Sequence, residues 1–376
     1  MKLPPFAAVA AAGTAFALAQ GLSYPLLAIL QEQWGYSSFF IGVSAAMTPL
    51  GLLLSSPFTP RVVSRFQPQS VVTLCSVCVV VLYAIMGLWQ HWLVWLVVRF
   101  LLGVLLNPVF MMAEVWTLSL APPGKQGRYV AALSMVMQVG FASGPAILAV
   151  MGEQGFAPFA VCILAFLACI AIIAPAKGLP DVSHGNAPES AIRMILVAPV
   201  LLAAVAVTAG FEQGALSLLP IYAGDHGYSE ETAAWLLAAM VGGAIAITPI
   251  AGWMAERIGA RRSLVWFAVI ATLGAPVLSF VIETSLVWPY IAIWGGCYFG
   301  IYTVALVEAG ERFAGPSLVA LNAAIGIMWG IGGLTGGPAT GAAMDTFGPE
   351  AMPAVFTLFF GGLALAAWLR SRGREA

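Results

Sequence analysis

Two charged side chains lie deep inside long apolar stretches of this sequence. Arg99 is preceded by residues 92–98 and followed by 100–106, all of them apolar, and Glu212 follows the run 199–211, which is apolar except for Thr208. Charges in such surroundings are costly and usually serve a function. One hypothesis is that Arg99 binds an anionic group of a solute while Glu212 carries a proton. The alternative is that the two form a buried structural ion pair.

Further polar and aromatic side chains on the apolar stretches could either hydrogen-bond a solute or join helices to one another. An aromatic stripe with residues at i, i+4 and i+8 can likewise be a packing face or a binding face. The candidates are the amides and the phenol Gln20, Tyr24, Asn107, Gln138, Gln213 and Asn322, and the stripe Trp294, Tyr298 and Tyr302.

Charged residues also gather where apolar stretches end. A carboxylate and several guanidinium groups flank one short turn, and more acids end other stretches on the same side. Ion pairs among them would have to break when that side of the protein opens, which would make the cluster a gate. The alternative is a solvated, positively charged loop without a gating role. The candidates are Glu114, Glu256, Arg257, Arg261, Arg262, Glu308, Glu311 and Arg65.

The composition indicates what must surround these residues. Of 376 residues, 61% are hydrophobic and 8% are charged, whereas soluble domains carry about 25% charged residues. Most of the chain is therefore expected to lie in lipid. The net charge of −1 gives no basic surface for nucleic acid, and the scattered cysteines and histidines predict neither a metal site nor a cofactor.

The apolar stretches predict an all-α membrane protein of about twelve spans, since a span needs roughly 20 apolar residues. A polar segment, 177–193, is predicted to be a cytoplasmic linker between two six-helix bundles, 1–176 and 194–376. The predicted spans cover 5–30, 38–58, 70–89, 92–115, 128–151, 157–176, 194–222, 232–253, 263–282, 287–309, 317–341 and 350–370.

With twelve spans, the lysines and arginines at span ends fall on one side, which predicts that both termini are cytoplasmic. We expect a multi-pass membrane protein and a monomer. Residues Ala17–Ala19 resemble a signal-peptide cleavage site. Cleavage there is disfavoured because the first span has a counterpart later in the chain.

That counterpart belongs to an internal repeat at an offset of 192–193 residues. Gln20-Gly21 matches Gln213-Gly214, Gly35-Tyr36-Ser37 matches Gly227-Tyr228-Ser229, and Gly140-x-x-x-Gly144-Pro145 matches Gly333-x-x-x-Gly337-Pro338. Six spans return the chain to its starting side, so the repeats are parallel, and a solute site between them is expected. Arg99 and Glu212 have apolar counterparts in the other repeat, which makes them the strongest functional candidates.

On these motifs the whole chain resembles the major facilitator superfamily. The segment Gly252–Arg262 resembles the signature loop of the family, with Glu256 where an aspartate is usual. The equivalent first-half loop departs from it, because Pro60 and Ser64 replace the glycine and the acid and only Arg65 remains. The loop and the patterns of the tenth and eleventh predicted spans, 287–309 and 317–341, resemble the YcaD-like bacterial branch, which implies a bacterial inner membrane.

Two further motifs bear on coupling. Arg99-x-x-x-Gly103 is similar to a motif of proton-coupled members, although Leu102 replaces the usual glutamine. Gly140-x-x-x-Gly144-Pro145 is similar to the antiporter motif but lacks the glycine pair that follows it. The resemblance implies a major-facilitator fold and transport by alternating access, and it does not name the solute.

We therefore expect a secondary active transporter, proton-coupled, that exports an amphiphilic compound. The alternative is proton-coupled uptake of a small organic anion bound by Arg99. The sequence has no Gly-x4-Gly-Lys-Ser/Thr loop with which to use ATP. A lipid enzyme is disfavoured because no nucleophile accompanies a histidine at a span end. A channel is disfavoured because the polar groups do not form a continuous path.

Overall fold

The computed structural model of the protein describes residues 4–122, 126–180, 191–313 and 316–372. These residues form α-helices and contain no strand, as the sequence predicts. Fourteen helices are found among them: α1 (Pro5–Gln33), α2 (Ser38–Ser55), α3 (Thr59–Arg65), α4 (Pro68–Leu88), α5 (Trp92–Leu120), α6 (Gln126–Met151), α7 (Ala157–Ile173), α8 (Ala191–Val197), α9 (Pro199–Asp225), α10 (Glu230–Ile258), α11 (Ala260–Val281), α12 (Val287–Arg312), α13 (Pro316–Phe347) and α14 (Ala351–Arg372).

Ten of these helices are long and apolar enough to cross a membrane, counting described residues only. Helix α7 is apolar but has 17 residues, and α13 has 32 residues. Together these twelve helices coincide with the twelve predicted spans. The two additional helices, α3 and α8, have seven residues each and lie next to spans.

Prolines separate the short helices from the spans. Pro199 opens α9, and the preceding residue, Ala198, leaves the helical region with φ −130° and ψ 52°. A residue before proline avoids the α-helical conformation because its backbone clashes with the proline ring. The predicted span 194–222 is therefore divided into α8 and α9.

The chain forms two compact units. Unit 1 comprises Met1–Leu30 and Met47–Asn186, and unit 2 comprises Gln31–Ala46 and Ala187–Ala376. In unit 1, α4 packs against α5 and α7; in unit 2, α10 packs on α12, α9 on α13 and α11 on α14. Residues 31–46 thus pack with the second unit, and the division into bundles at 177–193 stays a prediction. Most of that linker, 181–190, lies outside the described residues.

The predicted repeat is visible in two turns with the same backbone. Gly35 and Gly227 have φ of 80° and 82°, a conformation that glycine adopts without a Cβ clash. Each turn is closed by matching bonds, from Gly35 N to Glu32 O (2.8 Å) and from Gly227 N to Gly224 O (2.9 Å). Both are helix C-terminal motifs with glycine just beyond the helix end.

The repeat is also visible in the helix packing inside each unit. A Cβ on Gly51 or Gly103 would collide with the backbone between α2 and α5. In unit 2, a Cβ on Gly243 would collide with the backbone of α12 and one on Gly296 with α10. The pairs Gly51/Gly243 and Gly103/Gly296 lie at the offsets 192 and 193. Glycine at these positions permits the close helix approach that membrane proteins use in place of a hydrophobic driving force.

Candidate functional site

Arg99 lies on α5 inside unit 1, with only 3% of its surface exposed. Its guanidinium carbon is 4.8 Å from the centre of the Tyr24 ring on α1, which is a cation–π contact. The Nε atom is buried and has no hydrogen-bond partner. The ring face attracts the cation without neutralising it, so Arg99 keeps a positive charge and an unused donor.

Asn107, two turns further along α5, has a different role. Its Nδ2 atom lies 2.9 Å from Ser55 Oγ and 3.1 Å from Thr59 Oγ1, and 3.3 Å from both Leu52 O and Ser56 Oγ. These partners belong to the end of α2, the turn that follows it and the start of α3. The structure therefore uses this predicted solute ligand to hold helices together.

The other predicted amide ligands are found in separate surroundings. Gln20 and Gln213 are buried, whereas Gln138 is half-buried. The Oε1 atoms of Gln138 and Gln213 are buried without a hydrogen-bond partner, so each retains an acceptor that a ligand could use. The side chain of Asn322 lies outside the described residues.

Glu212 lies on α9 inside unit 2, with 7% of its surface exposed. It accepts a hydrogen bond from the Tyr298 hydroxyl, with 3.2 Å between that oxygen and Oε2. The Tyr298 ring lies 4.6 Å from that of Phe211. A buried carboxylate with one phenolic donor can exchange a proton while it keeps its position.

The aromatic stripe of α12 divides into packing and polar positions. Trp294 is buried, donates from Nε1 to Ala271 O over 3.1 Å and lies against Gly274 of α11. Tyr298 meets Glu212, and the Tyr302 ring lies 5.1 Å from that of Trp329 on α13. Trp294 thus joins α12 to α11, and Tyr298 is the stripe residue in contact with a charge.

A charged cluster surrounds Glu308 at the end of α12. Its Oε1 atom lies 2.8 Å from Arg312 Nη1, 3.1 Å from Arg370 Nη2 and 3.6 Å from Arg261 Nε. The Glu308 side chain is 2% exposed, so the acid is shielded from water while three guanidinium groups surround it. The acid that the structure pairs with Arg261 is therefore Glu308 on α12.

The remaining gate candidates lie at the surfaces of the two units. Glu256, Arg257, Arg262 and Glu311 are exposed at helix ends of unit 2, and Glu114 and Arg65 are exposed in unit 1. The Arg257 guanidinium carbon lies 5.4 Å from the Trp253 ring centre. The predicted signature loop is almost entirely helical, because Gly259 alone, with φ of 86°, separates α10 from α11.

Sequence reasoning missed Arg370 and Asp345. Arg370 entered the prediction only as one of the positive residues that set the orientation. Because 62 residues separate it from Glu308, the sequence gave no reason to pair the two. Asp345 accepts from the backbone N–H groups of Ser38 (2.9 Å) and Phe39 (3.0 Å) at the start of α2. A carboxylate favours a helix N-terminus because the first N–H groups lack partners in the helix.

A third missed group is a contact between His226, Glu350 and Tyr222. Imidazole Nε2 lies 3.0 Å from Glu350 Oε1, and the Tyr222 hydroxyl donates to the same oxygen over 3.2 Å. The sequence alone gave no signal for this contact, because 124 residues separate His226 from Glu350.

Comparison with known sequences shows which proteins this chain is similar to. A sequence model described as Major Facilitator Superfamily matches residues 9–337 and, in a second match, 201–376. An uncharacterised MFS-type transporter of Bacillus subtilis (strain 168), YfkF, is 27% identical over 345 residues, covering 87% of this chain and 85% of that protein. An uncharacterised MFS-type transporter of Yersinia enterocolitica is 28% identical over 68% of this chain and 66% of its own length.

Solved structures agree on the fold. The nucleoside transporter NupG superposes with a TM-score of 0.79 at 10% identity, over 98% of this chain and 100% of that chain. A D-xylose-proton symporter gives 0.76 at 13% identity over 96% of both chains. The fold is thus the one the sequence predicted, and the coarse function is secondary transport. The chain belongs to the major facilitator superfamily.

Proposed function

We propose that this transporter moves a small organic solute that carries an anionic group, with Arg99 binding that group and Glu212 carrying the coupling proton. The observation that carries the proposal is the buried Arg99 guanidinium, whose Nε atom has no hydrogen-bond partner. An anionic solute would supply both the missing acceptor and the missing negative charge.

The energetics support a ligand at Arg99. A cation near the middle of a membrane helix costs about 3 kcal/mol or more. A desolvated cation–π contact such as the one with Tyr24 returns about 2 kcal/mol. A carboxylate or phosphate would offset the rest through charge-assisted hydrogen bonds, which are stronger than neutral ones.

Glu212 is proposed as the proton carrier because it is the buried acid of α9 and has a single phenolic donor. In its protonated form it would be a neutral group within the apolar interior, and after proton release Tyr298 would stabilise the carboxylate. The competing hypothesis, in which Arg99 and Glu212 neutralise one another, needs no solute. The stabilities of the single and double variants of Arg99 and Glu212 distinguish the two hypotheses.

The predicted export of an amphiphilic compound is the second candidate. Binding of an amphiphilic compound would use aromatic side chains, and in the structure Trp294 of the aromatic stripe is engaged with Ala271 and Gly274. We therefore put binding of an anion first. The direction of transport, the YcaD-like branch, the bacterial inner membrane, cytoplasmic termini and a monomeric state are retained as proposals.

The Glu308 cluster is proposed to stabilise the closed state of the cytoplasmic side. Three guanidinium groups from α11, α12 and α14 converge on one buried carboxylate. If opening that side shifts α14 relative to α11 and α12, these ion pairs break, which would bias the equilibrium between the two states. Glu256, Arg257, Arg262, Glu311, Glu114 and Arg65 would then contribute only surface charge.

The test uses matched acids and amides, such as benzoate with benzamide and nicotinate with nicotinamide. Members of a pair differ mainly in charge, and binding to the native state raises the melting temperature of the purified protein. We expect acids from a broad panel to stabilise the wild type more than their amides do. Arg99→Ala should abolish this difference, whereas Arg193→Ala, which removes an exposed arginine of α8, should preserve it.

Two outcomes would contradict the proposal. If the Arg99→Ala protein is folded and binds the same acids as the wild type, Arg99 is not the anion site. If Arg99→Ala and Glu212→Gln each lose stability while the double variant regains it without any ligand, the two residues form a structural pair. A Lys substitution at position 99 keeps the charge and tests whether the planar guanidinium is needed.

A further inference from the structure

His226 caps the end of α9. The helix ends at Asp225, where the chain turns through Gly227 and the His226 N–H bonds to Ala223 O. The Tyr222 carbonyl therefore lacks its usual partner four residues on, and imidazole Nδ1 of His226 lies 2.8 Å from it. A cationic side chain is favoured here because the carbonyl groups at a helix C-terminus carry partial negative charge.

The two imidazole nitrogens both face acceptors. Nδ1 faces the Tyr222 carbonyl, which can only accept, and Nε2 lies 3.0 Å from Glu350 Oε1. A neutral imidazole has one N–H, so either tautomer would leave a ring lone pair against an oxygen lone pair. The contacts are both satisfied only when one more proton is present, on Nε2 or on the Glu350 carboxyl.

Acidic groups surround the imidazole. Asp225 faces His226 from α9, and Glu350 faces it from the connection before α14. The Tyr222 hydroxyl donates to Glu350 Oε1, while Glu283, in the connection before α12, acts electrostatically on Tyr222. The ring centres of Tyr222 and His226 are 4.4 Å apart. Among these groups there are three acids, Asp225, Glu283 and Glu350, and His226 is the base.

Water can reach the site, which exchange of a proton requires. The His226 side chain is 14% exposed and that of Glu350 is 52% exposed. The site lies at the start of α14, whereas Arg370 of the Glu308 cluster lies near the end of that helix, about 30 Å away by the helical rise. On the predicted topology the His226 end faces the outside.

The first repeat lacks this site. The turn after α1 has the same backbone as the turn after α9, but at the offset of 192 residues Trp34 occupies the position of His226 and Leu30 that of Tyr222. The turn therefore does not need a histidine, and the arrangement at His226 is an addition to the shared architecture.

We propose that His226 and Glu350 form a proton-binding site at this end of unit 2, where one proton shared by Nε2 and Oε1 joins the end of α9 to the start of α14. The proton comes from water and returns to it. The link exists at low pH and is lost as the pH rises and the proton leaves, since the N–H that remains on Nδ1 bonds the Tyr222 carbonyl and the Nε2 lone pair then faces the carboxylate. The site goes beyond the proposed solute transport and does not depend on it.

The test joins two measurements on the purified full-length protein. Side-chain nitrogen NMR shows which imidazole nitrogens carry protons, and three histidines give few signals. Hydrogen exchange reports on the start of α14, where Ala351 and Met352 donate to Gly348 and Pro349. The measurements cover about pH 5 to 8, the range over which histidines change charge. After correction for the intrinsic pH dependence of amide exchange, we expect exchange at the start of α14 to become roughly three- to tenfold faster as His226 loses its second proton.

Glu350→Gln is the decisive variant. Its amide can donate to Nε2 of a neutral imidazole, so the link should persist and exchange at α14 should no longer follow the protonation of His226. Glu231→Gln removes an exposed acid of unit 2 and should keep the wild-type coupling. The proposal is wrong if exchange in the wild type does not change when His226 loses its proton, or if it follows the titration of His91 instead.

Discussion

The two units share their glycines and differ in their buried charges. Gly51 and Gly103 in unit 1 let α2 approach α5, and Gly243 and Gly296 let α10 approach α12 in the same way. In contrast, Arg99 lies in unit 1 and Glu212 in unit 2, and neither has a charged counterpart at the repeat offset. The shared residues determine how helices pack, and the unshared ones are free to differ for function.

The same contrast holds at the helix ends. Glu308 and Glu114 fall within one residue of each other at the repeat offset, but Glu308 is buried among three arginines and Glu114 is exposed. A common position in the repeat thus does not imply a common role. Substitutions that act on one member of each pair test whether the two units differ in this way.

The largest effect is expected from Glu212→Gln, which removes the buried acid and keeps its shape. We expect transport driven by a pH gradient in proteoliposomes to fall by at least about tenfold, because proton transfer groups typically contribute factors of 10² or more. Exchange of solute without a gradient should remain. Glu231→Gln serves as the control, and a normal response to pH in Glu212→Gln would mean that another group carries the proton.

The next effect concerns the shared glycines. A Cβ on Gly243 would overlap the Ala292 carbonyl, whereas one on the adjacent Gly242 would meet nothing within 4 Å. Gly243→Ala should cost about 1–3 kcal/mol through overpacking, and Gly242→Ala should be neutral or stabilising by up to about 1 kcal/mol through helix propensity. Thermal unfolding of the purified variants measures both.

Gly51→Ala extends this test to unit 1, where the added Cβ would collide with the Phe100 carbonyl. If the glycines serve the common architecture, Gly51→Ala and Gly243→Ala should lower the melting temperature to a similar extent. A stable Gly51→Ala protein together with an unstable Gly243→Ala protein would show that the units do not pack alike.

A comparable effect on stability is expected from Glu308→Gln. The amide keeps a similar shape, but three guanidinium groups lose their counter-charge. Loss of a buried partner costs 3–5 kcal/mol, and because these arginines are partly exposed we expect about 2 kcal/mol. Glu114→Gln should lower the unfolding free energy less, because Glu114 is exposed whereas Glu308 is buried among arginines. Equal losses in both variants would remove the contrast between the two acids.

The fold could be predicted from the sequence because its signals are local or periodic. Apolar stretches of span length, positive residues at alternate ends and glycines at a fixed offset each follow from the properties of lipid and of helices. The break at Ala198 could have been anticipated from Pro199, which disfavours a helical residue before it.

Much of the site could not be predicted, because side-chain partners depend on tertiary packing. The sequence singled out Arg99 and Glu212 by their isolation in apolar runs, but it could not indicate Tyr24 or Tyr298 as their neighbours. Asn107 was indistinguishable from a solute ligand until α2 and α3 were seen beside it. The partners of Glu308, Asp345 and His226 each come from a distant segment, where no spacing rule applies.

The smallest effect separates two residues one turn apart on α12. Trp294→Phe removes the hydrogen bond to Ala271 O and should cost about 1 kcal/mol of stability, with little change in pH-driven transport. Tyr298→Phe removes the donor to Glu212 and should instead alter the pH dependence of transport, because the ionised carboxylate loses the bond that stabilises it. Melting temperatures and pH profiles of both variants, measured in parallel, distinguish packing from proton handling. If both profiles stay as in the wild type, Tyr298 is a packing residue like Trp294.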